Sequence, residues 1–398
     1  MESVNGGRCP RCGERLPGAS GACPVCGQDS LSSARPTKGA VLILVILLVV
    51  GFAVTGAIAR GYRHRQDLLA ERWFSRGNRD LANGSPQRAV DEIQTALAYS
   101  PDNDAYRLKL SLALVQSGKL DEARAHLVGL WEQRPGDATV NLQLARVMAR
   151  TGDLQSATRY YHGAIYGVWN SHPLQNREAA RFELANYLLS ARQTAASQSE
   201  LIALEAELPP GSSQQLRLGD MLMEAGEPER ALVAYMNARK ADRNNPQAEL
   251  GAAKADFALR RFGEARDHAR AALRFDPHLE EANQLHQQAQ FVLAADPYVK
   301  GLNARQRAER AQAAFEAAVD RLDECLASHT DPQLEDLSAQ QKASFKHVRA
   351  RTLRADPDML DSVVRWAYEV ERASEGTCGA PTGVDAGLLI LAHGSGIH

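Results

Sequence analysis

The sequence is poor in aromatic residues, in runs of β-branched residues and in any excess of charge of one sign. Aromatic residues make up 6% of its 398 residues, and runs of Val, Ile and Thr are almost absent outside one segment. Sheets favour β-branched and aromatic side chains, so a sheet is not expected. Alanine and leucine dominate, accompanied by many Arg, Glu and Gln, all strong helix formers. The composition therefore predicts an all-α protein.

Charge and motifs exclude two broad functional classes. Lys+Arg is 46 and Asp+Glu is 48, whereas a general nucleic-acid binder usually has a basic surface. The eleven histidines are scattered. The sequence contains no HExxH, CxxCH, GxxxxGK[ST], GxGxxG or GxSxG motif, so nothing in it supports catalysis. We expect a binding protein with neither enzymatic activity nor a nucleic-acid ligand.

One long hydrophobic run lies near the N-terminus. Residues 40–59, AVLILVILLVVGFAVTGAIA, contain no charge. As a helix this segment is about 30 Å long, which matches the hydrocarbon thickness of a bilayer. A cleavable signal peptide would be shorter and would begin earlier. The run predicts a single transmembrane helix, which implies a cell-membrane location and, in a bacterium, the inner membrane.

Two arguments about orientation disagree. More arginines follow the run (Arg60, Arg63, Arg65 and Arg72) than precede it, which favours a cytoplasmic C-terminal side. Long soluble domains, however, cross membranes largely regardless of charge. The N-terminal cysteines require a reducing compartment if they bind metal as thiolates. We expect a cytoplasmic N-terminus and an extracytoplasmic C-terminal region.

Four of the six cysteines lie within the first 26 residues. Cys9, Cys12, Cys23 and Cys26 form two C-P-x-C-G knuckles. Two residues between cysteines let both thiolates reach one ion, and four thiolates suit tetrahedral Zn²⁺. Residues 8–28 resemble a small zinc ribbon with a structural metal, and a linker at 29–39 leads to the membrane segment. Iron in a rubredoxin-like site, or disulfide or redox chemistry, remains an alternative.

From residue 70 the sequence repeats with a spacing of 34 residues, which is typical of a helix-turn-helix array. Small residues recur at the eighth position: Gly77, Ser111, Ala145, Ala185, Gly219 and Ala253. They recur again at the twentieth: Ala89, Ala123, Ala157, Ser197, Ala231 and Ala265. Proline stands near the end of several units, where it interrupts a helix. Six extra residues, 172–177, break the period once and suggest a bend.

These positions resemble the tetratricopeptide repeat (TPR). The resemblance covers 70–279 and divides into six units, 70–103, 104–137, 138–171, 178–211, 212–245 and 246–279. It implies an all-α TPR solenoid whose first helices line a concave face that binds a helix or an extended peptide. On the family's geometry the candidate contact residues are Phe74, Asn78, Leu108, Leu112, Leu142, Arg146, Phe182, Asn186, Leu216 and Leu250. Burial against neighbouring helices is the alternative for each.

Residues 280–398 continue as helices without the period. Asp-Pro pairs at 296–297, 331–332 and 356–357 are typical of helix starts, and they predict helices over 298–328, 333–354 and 357–375 after a first helix at 280–294. This region is expected to cap the repeat array. Cys325 and Cys378 either form a disulfide or are two buried thiols.

The sequence therefore predicts a membrane-anchored scaffold that gathers protein partners for an envelope or secretion assembly. A zinc-containing membrane regulator, with a cytosolic partner that includes nucleic acid as an option, is the alternative.

Overall fold

A computed structural model describes residues 8–9, 11–16, 23–27 and 38–394. Most of the expected linker at 29–39 and part of the cysteine module at 8–28 lie outside these residues. The chain forms two compact units, Met1–His126 and Leu127–His398. All regular elements of the described residues are helices, and the only β pairings in them are isolated bridges at Arg8–Arg15 and Asp137–Val168. The all-α prediction is confirmed.

The first unit contains one helix much longer than the others. Helix α1 runs without a break over Lys38–Ala82, 45 residues, or about 67 Å. Its apolar side chains between Val41 and Ile58 are exposed, from 45% at Val41 to 78% at Phe52. Burial begins at Ala70, which is 0% exposed. The predicted membrane segment and the first helix of the repeats are therefore one continuous helix.

The last turns of α1 pack against α2 (Pro86–Tyr99). Helices α3 (Asp104–Gln116) and α4 (Leu120–Gln133) follow, and the boundary between the two compact units falls within α4. A Cβ atom on Gly77 would lie 2.5 Å from Ile93 Cγ1, so only glycine permits this close approach of α1 and α2. Phe74 stacks on Tyr106 with ring centroids 4.2 Å apart, and the Tyr106 hydroxyl donates to Glu71 over 2.9 Å. Successive first helices, α1 and α3, thus contact each other directly.

Four antiparallel helix pairs open the second unit. They are α5 (Ala138–Thr151) with α6 (Leu154–Tyr166), α7 (Pro173–Ser190) with α8 (Thr194–Glu207), α9 (Gln214–Glu224) with α10 (Pro228–Ala241), and α11 (Pro246–Ala258) with α12 (Phe262–Phe275). The six extra residues at 172–177 do not form a loop. Instead, residues 173–177 extend the N-terminal end of α7, because Pro173 suits the first turn of a helix and His172 before it has a φ of 45°.

Six further helices follow: α13 (Glu280–Ala295), α14 (Ala304–Leu326), α15 (Pro332–Phe345), α16 (Ala350–Ala355), α17 (Pro357–Ser374) and α18 (Gly383–Gly394). Asp331 and Asp356 cap helices as predicted. The helix expected from 298 begins instead at Ala304, because Asn303 and Gln306 form a capping box there. The helix expected over 333–354 is also wrong, since a turn after Phe345, whose ring stacks on Phe315, divides it into α15 and α16.

The C-terminal helix α18 closes this region by packing on α13, α14 and α17. Leu388 is fully buried and Leu391 is 5% exposed. A Cβ on Gly387 would lie 2.4 Å from the carbonyl oxygen of Phe291, so the two backbones are in close contact. Helix α18 therefore covers the apolar face of α13, as an end cap of a repeat array must.

Two further links hold the segment before α18. Cys325 on α14 and Cys378 are joined by a disulfide. The Arg321 guanidinium donates to Glu371 over 3.0 Å, to the Ser374 hydroxyl over 2.9 Å and to the Gly379 carbonyl over 2.8 Å. Burial raises the pKa of Glu371 to about 8 although Arg321 opposes this shift. One half-buried arginine thus connects α14, α17 and the residue after Cys378.

Candidate functional site

The four N-terminal cysteines converge in space. Their Sγ atoms all lie within 4.8 Å of one another. The Cys9 and Cys26 sulfurs are 3.5 Å apart, and so are those of Cys12 and Cys23. Four thiolates around one Zn²⁺ at about 2.3 Å would be separated by about 3.8 Å. The side-chain positions therefore fit a tetrahedral metal.

The two knuckles share one backbone conformation. The Gly13 amide donates to the Cys9 carbonyl over 2.9 Å, and the Gly27 amide donates to the Cys23 carbonyl over 2.8 Å. Both glycines have positive φ, 76° and 67°, a conformation that other residues rarely adopt. The turns direct backbone N–H groups towards the sulfurs of the first cysteine in each pair.

These N–H groups favour the thiolate at the first cysteine of each pair. Backbone hydrogen bonds from Arg11 and Cys12 lower the pKa of Cys9 to about 6. Those from Cys26 and Val25 lower the pKa of Cys23. Both cysteines are also buried. At Cys12 a backbone hydrogen bond from Glu14 lowers the pKa, but the hydrogen bond with Cys23 and burial outweigh it and raise the pKa. Thiolates are the form that binds metal, so the four-cysteine cluster could hold a metal ion.

A second candidate surface lies on the first helices of the pairs in the second unit. We call it the first-helix face and define it by α5, α7, α9 and α11. Helix α9 lies against α11, and α11 lies against α13. Side chains also join neighbouring first helices: Arg146 on α5 donates to Glu183 on α7 over 2.9 Å, and Lys254 on α11 pairs with Glu281 on α13 over 2.6 Å. The sequence prediction placed the partner groove on this face.

The predicted contact residues of the first-helix face differ in their exposure. Leu142, Phe182 and Leu250 are 8%, 1% and 2% exposed, so they pack in the interior of the array. Leu216 is half-buried and Asn186 is exposed. Arg146 is half-buried and forms an ion pair with Glu183. The accessible part of this face is therefore more polar than the apolar groove expected from the sequence.

In the first unit the predicted residues Phe74, Asn78, Leu108 and Leu112 are all half-buried. One face of the Phe74 ring is covered by the Tyr106 ring, on which it stacks. The Asn78 side-chain oxygen is buried and has no hydrogen-bond partner within the described part of the chain. An orphaned buried amide oxygen is usually satisfied by an ordered water, and its burial keeps it out of reach of a partner on the surface.

Sequence reasoning missed one residue that shapes the first-helix face, Arg217. The Arg217 guanidinium lies 4.4 Å from the ring centroid of Phe182. Arg217 directly follows the predicted contact residue Leu216, and a basic side chain next to that residue is the signal that the sequence offered.

Comparison with known proteins supports the repeat assignment. Family patterns described as "Tetratricopeptide repeat" match residues 80–130, 114–164 and 216–280. No curated protein matches this chain. Similar solved structures include YrrB, a TPR protein with an unusual peptide-binding site, which is 16% identical, covers 48% of this chain and 96% of its own, and has a TM-score of 0.38.

Two other solved structures are similar to this chain. PilW, a type IV pilus biogenesis factor, is 16% identical, covers 54% of this chain and 97% of its own, and has a TM-score of 0.40. PilF of Pseudomonas aeruginosa is 14% identical, covers 55% and 97%, and has a TM-score of 0.39. The family matches and the paired helices show that this chain contains tetratricopeptide repeats arranged as an all-α helical array, and TPR proteins bind proteins and peptides.

Proposed function

We propose that this protein is a membrane-anchored scaffold whose TPR array binds partner proteins during assembly of an envelope or secretion complex. The observation that carries the proposal is the continuity of α1. One helix supplies both an exposed apolar segment long enough to cross a bilayer and the first packed helix of the repeats. A partner bound to the repeats would therefore be held close to the membrane surface.

The exposed apolar side chains of α1 support the anchor. A soluble protein rarely leaves so long a run of Val, Leu and Ile bare to water, because each such side chain gains about 1.5–3 kcal/mol on burial. Between Val41 and Ile58 none of the large apolar residues is covered by protein. An uncharged apolar helix of this length, left exposed by the protein, is typical of a segment surrounded by lipid.

The cysteines support the orientation with the N-terminus in the cytoplasm. Four thiols that serve as metal ligands require a reducing compartment, whereas a structural disulfide such as Cys325–Cys378 is typical of an oxidising one. The two kinds of cysteine lie on opposite sides of the membrane segment in the sequence. The arginines at 60, 63, 65 and 72 favour the reverse orientation, but a long folded domain crosses the membrane largely regardless of such charges.

Thiol labelling tests this topology. Asn244 is exposed in the second unit, and we expect an Asn244→Cys variant to react with a membrane-impermeant maleimide in intact spheroplasts. A Ser3→Cys variant should react only after permeabilisation. The reverse pattern would show that the repeats face the cytoplasm. Labelling of both sites without permeabilisation in sealed cells would contradict a single membrane crossing.

We also propose that the cysteine cluster binds structural zinc. All four ligand positions are cysteine, which leaves no open coordination site for water or a substrate. When bound, the metal would hold the two knuckles together in a segment too short to form a hydrophobic core of its own. The 3.5 Å sulfur pairs and the N–H groups directed at Cys9 and Cys23 support this assignment.

Metal analysis of the purified full-length protein should find about one zinc per chain, the stoichiometry of a four-thiolate site. A Cys9→Ser/Cys23→Ser variant should lose the zinc because only two ligands remain. A Cys325→Ser/Cys378→Ser variant is the matched control and should retain it. Iron in place of zinc, or no metal in protein prepared without chelators, would contradict the proposal.

The second candidate function is a zinc-containing membrane regulator with a cytosolic partner, and one observation favours it. Arg8, Arg11 and Arg15 are all exposed beside the cysteine cluster, so this small module presents a basic surface on the proposed cytoplasmic side. Such a surface suits an acidic protein or a nucleic acid. A partner that is captured by residues 8–27 alone, and not by the repeats, would support the regulator over the scaffold.

A further inference from the structure

Three of the basic side chains on the first-helix face, Arg146, Arg217 and Lys254, differ in how their charge is balanced. Arg146 is bound by Glu183, and Lys254 is bound by Glu281. Arg217 on α9 has no carboxylate within ion-pair distance across the part of the chain that the structure describes. A cation that lies between two paired neighbours on a binding face retains its capacity for a ligand.

The position of Arg217 is fixed by the ring beneath it. Its guanidinium lies 4.4 Å from the centroid of Phe182, and Phe182 is only 1% exposed. A guanidinium that stacks on an aromatic face keeps its N–H donors at the edge, where they can bind a carboxylate with two parallel hydrogen bonds. Here the surface that a partner meets is therefore the guanidinium and not the phenyl ring predicted from the sequence.

The neighbours of Arg217 define the chemistry further. Asn186 lies one turn beyond Phe182 on α7 and is exposed. Asp220 lies one turn beyond Arg217 on α9, and its carboxylate accepts the Tyr235 hydroxyl over 2.9 Å. A phosphate with nearly two negative charges would be repelled by Asp220 more strongly than a carboxylate with one. The site thus fits a singly charged anion beside a hydrogen-bonding amide.

We propose that Arg217 and Asn186, over Phe182, bind an acidic segment of a partner protein. A partner Asp or Glu side chain accepts two hydrogen bonds from the Arg217 guanidinium, and the Asn186 amide bonds the backbone of the same segment. The acid is an internal side chain, so a free C-terminus is not required. This inference rests on the proposed function in one respect, that partners bind the first-helix face.

Peptide selection on the full-length protein in detergent tests the inference. The probe is a displayed library of random 12-residue peptides, and the selected peptides are then synthesised with amidated C-termini. We expect them to contain Asp or Glu. Replacing that acid by Asn or Gln should weaken binding by about tenfold to a hundredfold, the effect of losing a hydrogen-bonded charge pair.

Protein variants assign the effect to one residue. The Met side chain in Arg217→Met still covers Phe182 but has no hydrogen-bond donors. This variant should bind the acidic peptides more weakly by the same factor, and its affinity for the peptides with Asn or Gln in place of the acid should be unchanged. Lys254→Gln is the matched control, because Lys254 is already paired with Glu281, and should change affinity less than twofold. Circular dichroism melting curves should agree among the three proteins, since all the changes are at the surface.

Three outcomes would overturn the inference. Peptides that bind Arg217→Met as tightly as the unchanged protein would show that Arg217 makes no contact, and the scaffold function would survive if Asn186→Ala still weakened them. Peptides without acid preference, or peptides insensitive to every change on the first-helix face, would exclude an acidic partner there. Insensitivity of the peptides to every change on the first-helix face would also count against the proposed function itself.

Discussion

Replacing Tyr235 with alanine should lower the free energy of unfolding of its repeat by about 3–5 kcal/mol, the usual cost of emptying a large aromatic site. The Tyr235 ring on α10 lies between glycines of two first helices. Cβ atoms on Gly219 and Gly251 would be 2.6 Å and 2.3 Å from its Cε1 atom. These helices approach so closely that the ring fills the whole space between them, and alanine would leave a cavity.

Hydrogen exchange of amides in α9, α10 and α11 is the measurement, because repeat arrays open locally before they unfold as a whole. Tyr235→Phe should cost about 0.5–1.5 kcal/mol through the lost hydrogen bond to Asp220. Met236→Ala is the control: Met236 is adjacent and 38% exposed, so its effect should stay within about 0.5 kcal/mol. Equal effects of Tyr235→Ala and Met236→Ala would contradict this packing.

Replacing Gly387 with valine should release helix α18 from α13. The atoms that a side chain would meet are the carbonyl oxygen and carbon of Phe291, at 2.4 Å and 2.5 Å, and the Val292 nitrogen at 2.8 Å. These are backbone atoms, so no rotamer change relieves the clash. Undocking exposes Leu388 and Leu391, which contribute together about 3–6 kcal/mol of burial. A detached helix of this length is marginal in water.

Amide exchange in residues 383–394 should therefore rise by a factor on the order of a hundred or more. The Cys325–Cys378 disulfide should remain intact in this variant because Cys378 precedes α18. Gly376→Val is the matched control, since a Cβ there meets nothing within 4 Å, and it should leave the exchange of α18 unchanged. Full protection of α18 in Gly387→Val would show that the helix is not held as described.

The repeats could be predicted from the sequence because their spacing reflects the close approach of a helix backbone to a large side chain of the paired helix. Gly77 and Gly219 occupy the eighth position of their units, and both lie against a large residue of the following helix, Ile93 and Tyr235. A larger residue at either position would separate the helices. Such constraints repeat in every unit and leave a visible period in the sequence.

Other features depend on interactions that no short pattern records. The continuity of α1 arises because the segment between the apolar run and the repeats is helical and contains no proline. Phe182 is buried because it belongs to a core cluster that α7 forms with neighbouring helices, and Arg217 from the next repeat lies over its ring. The start of α14 was mispredicted because the Asn303–Gln306 capping box begins that helix after the Asp296-Pro297 pair has turned the chain. Each of these outcomes depends on tertiary neighbours or on a competing local signal.

Site-specific photocrosslinking in native membranes tests the scaffold claim most directly. The crosslinker is introduced at Asn186 or Leu216 on the first-helix face, and for comparison at Ile202 or Val233, which are 40% and 49% exposed on the second helices α8 and α10. We predict that Asn186 and Leu216 capture the same partner protein, identified by mass spectrometry, and that Ile202 and Val233 do not. Equal capture from the second helices, or none from the first-helix face, would contradict a scaffold that binds its partners there.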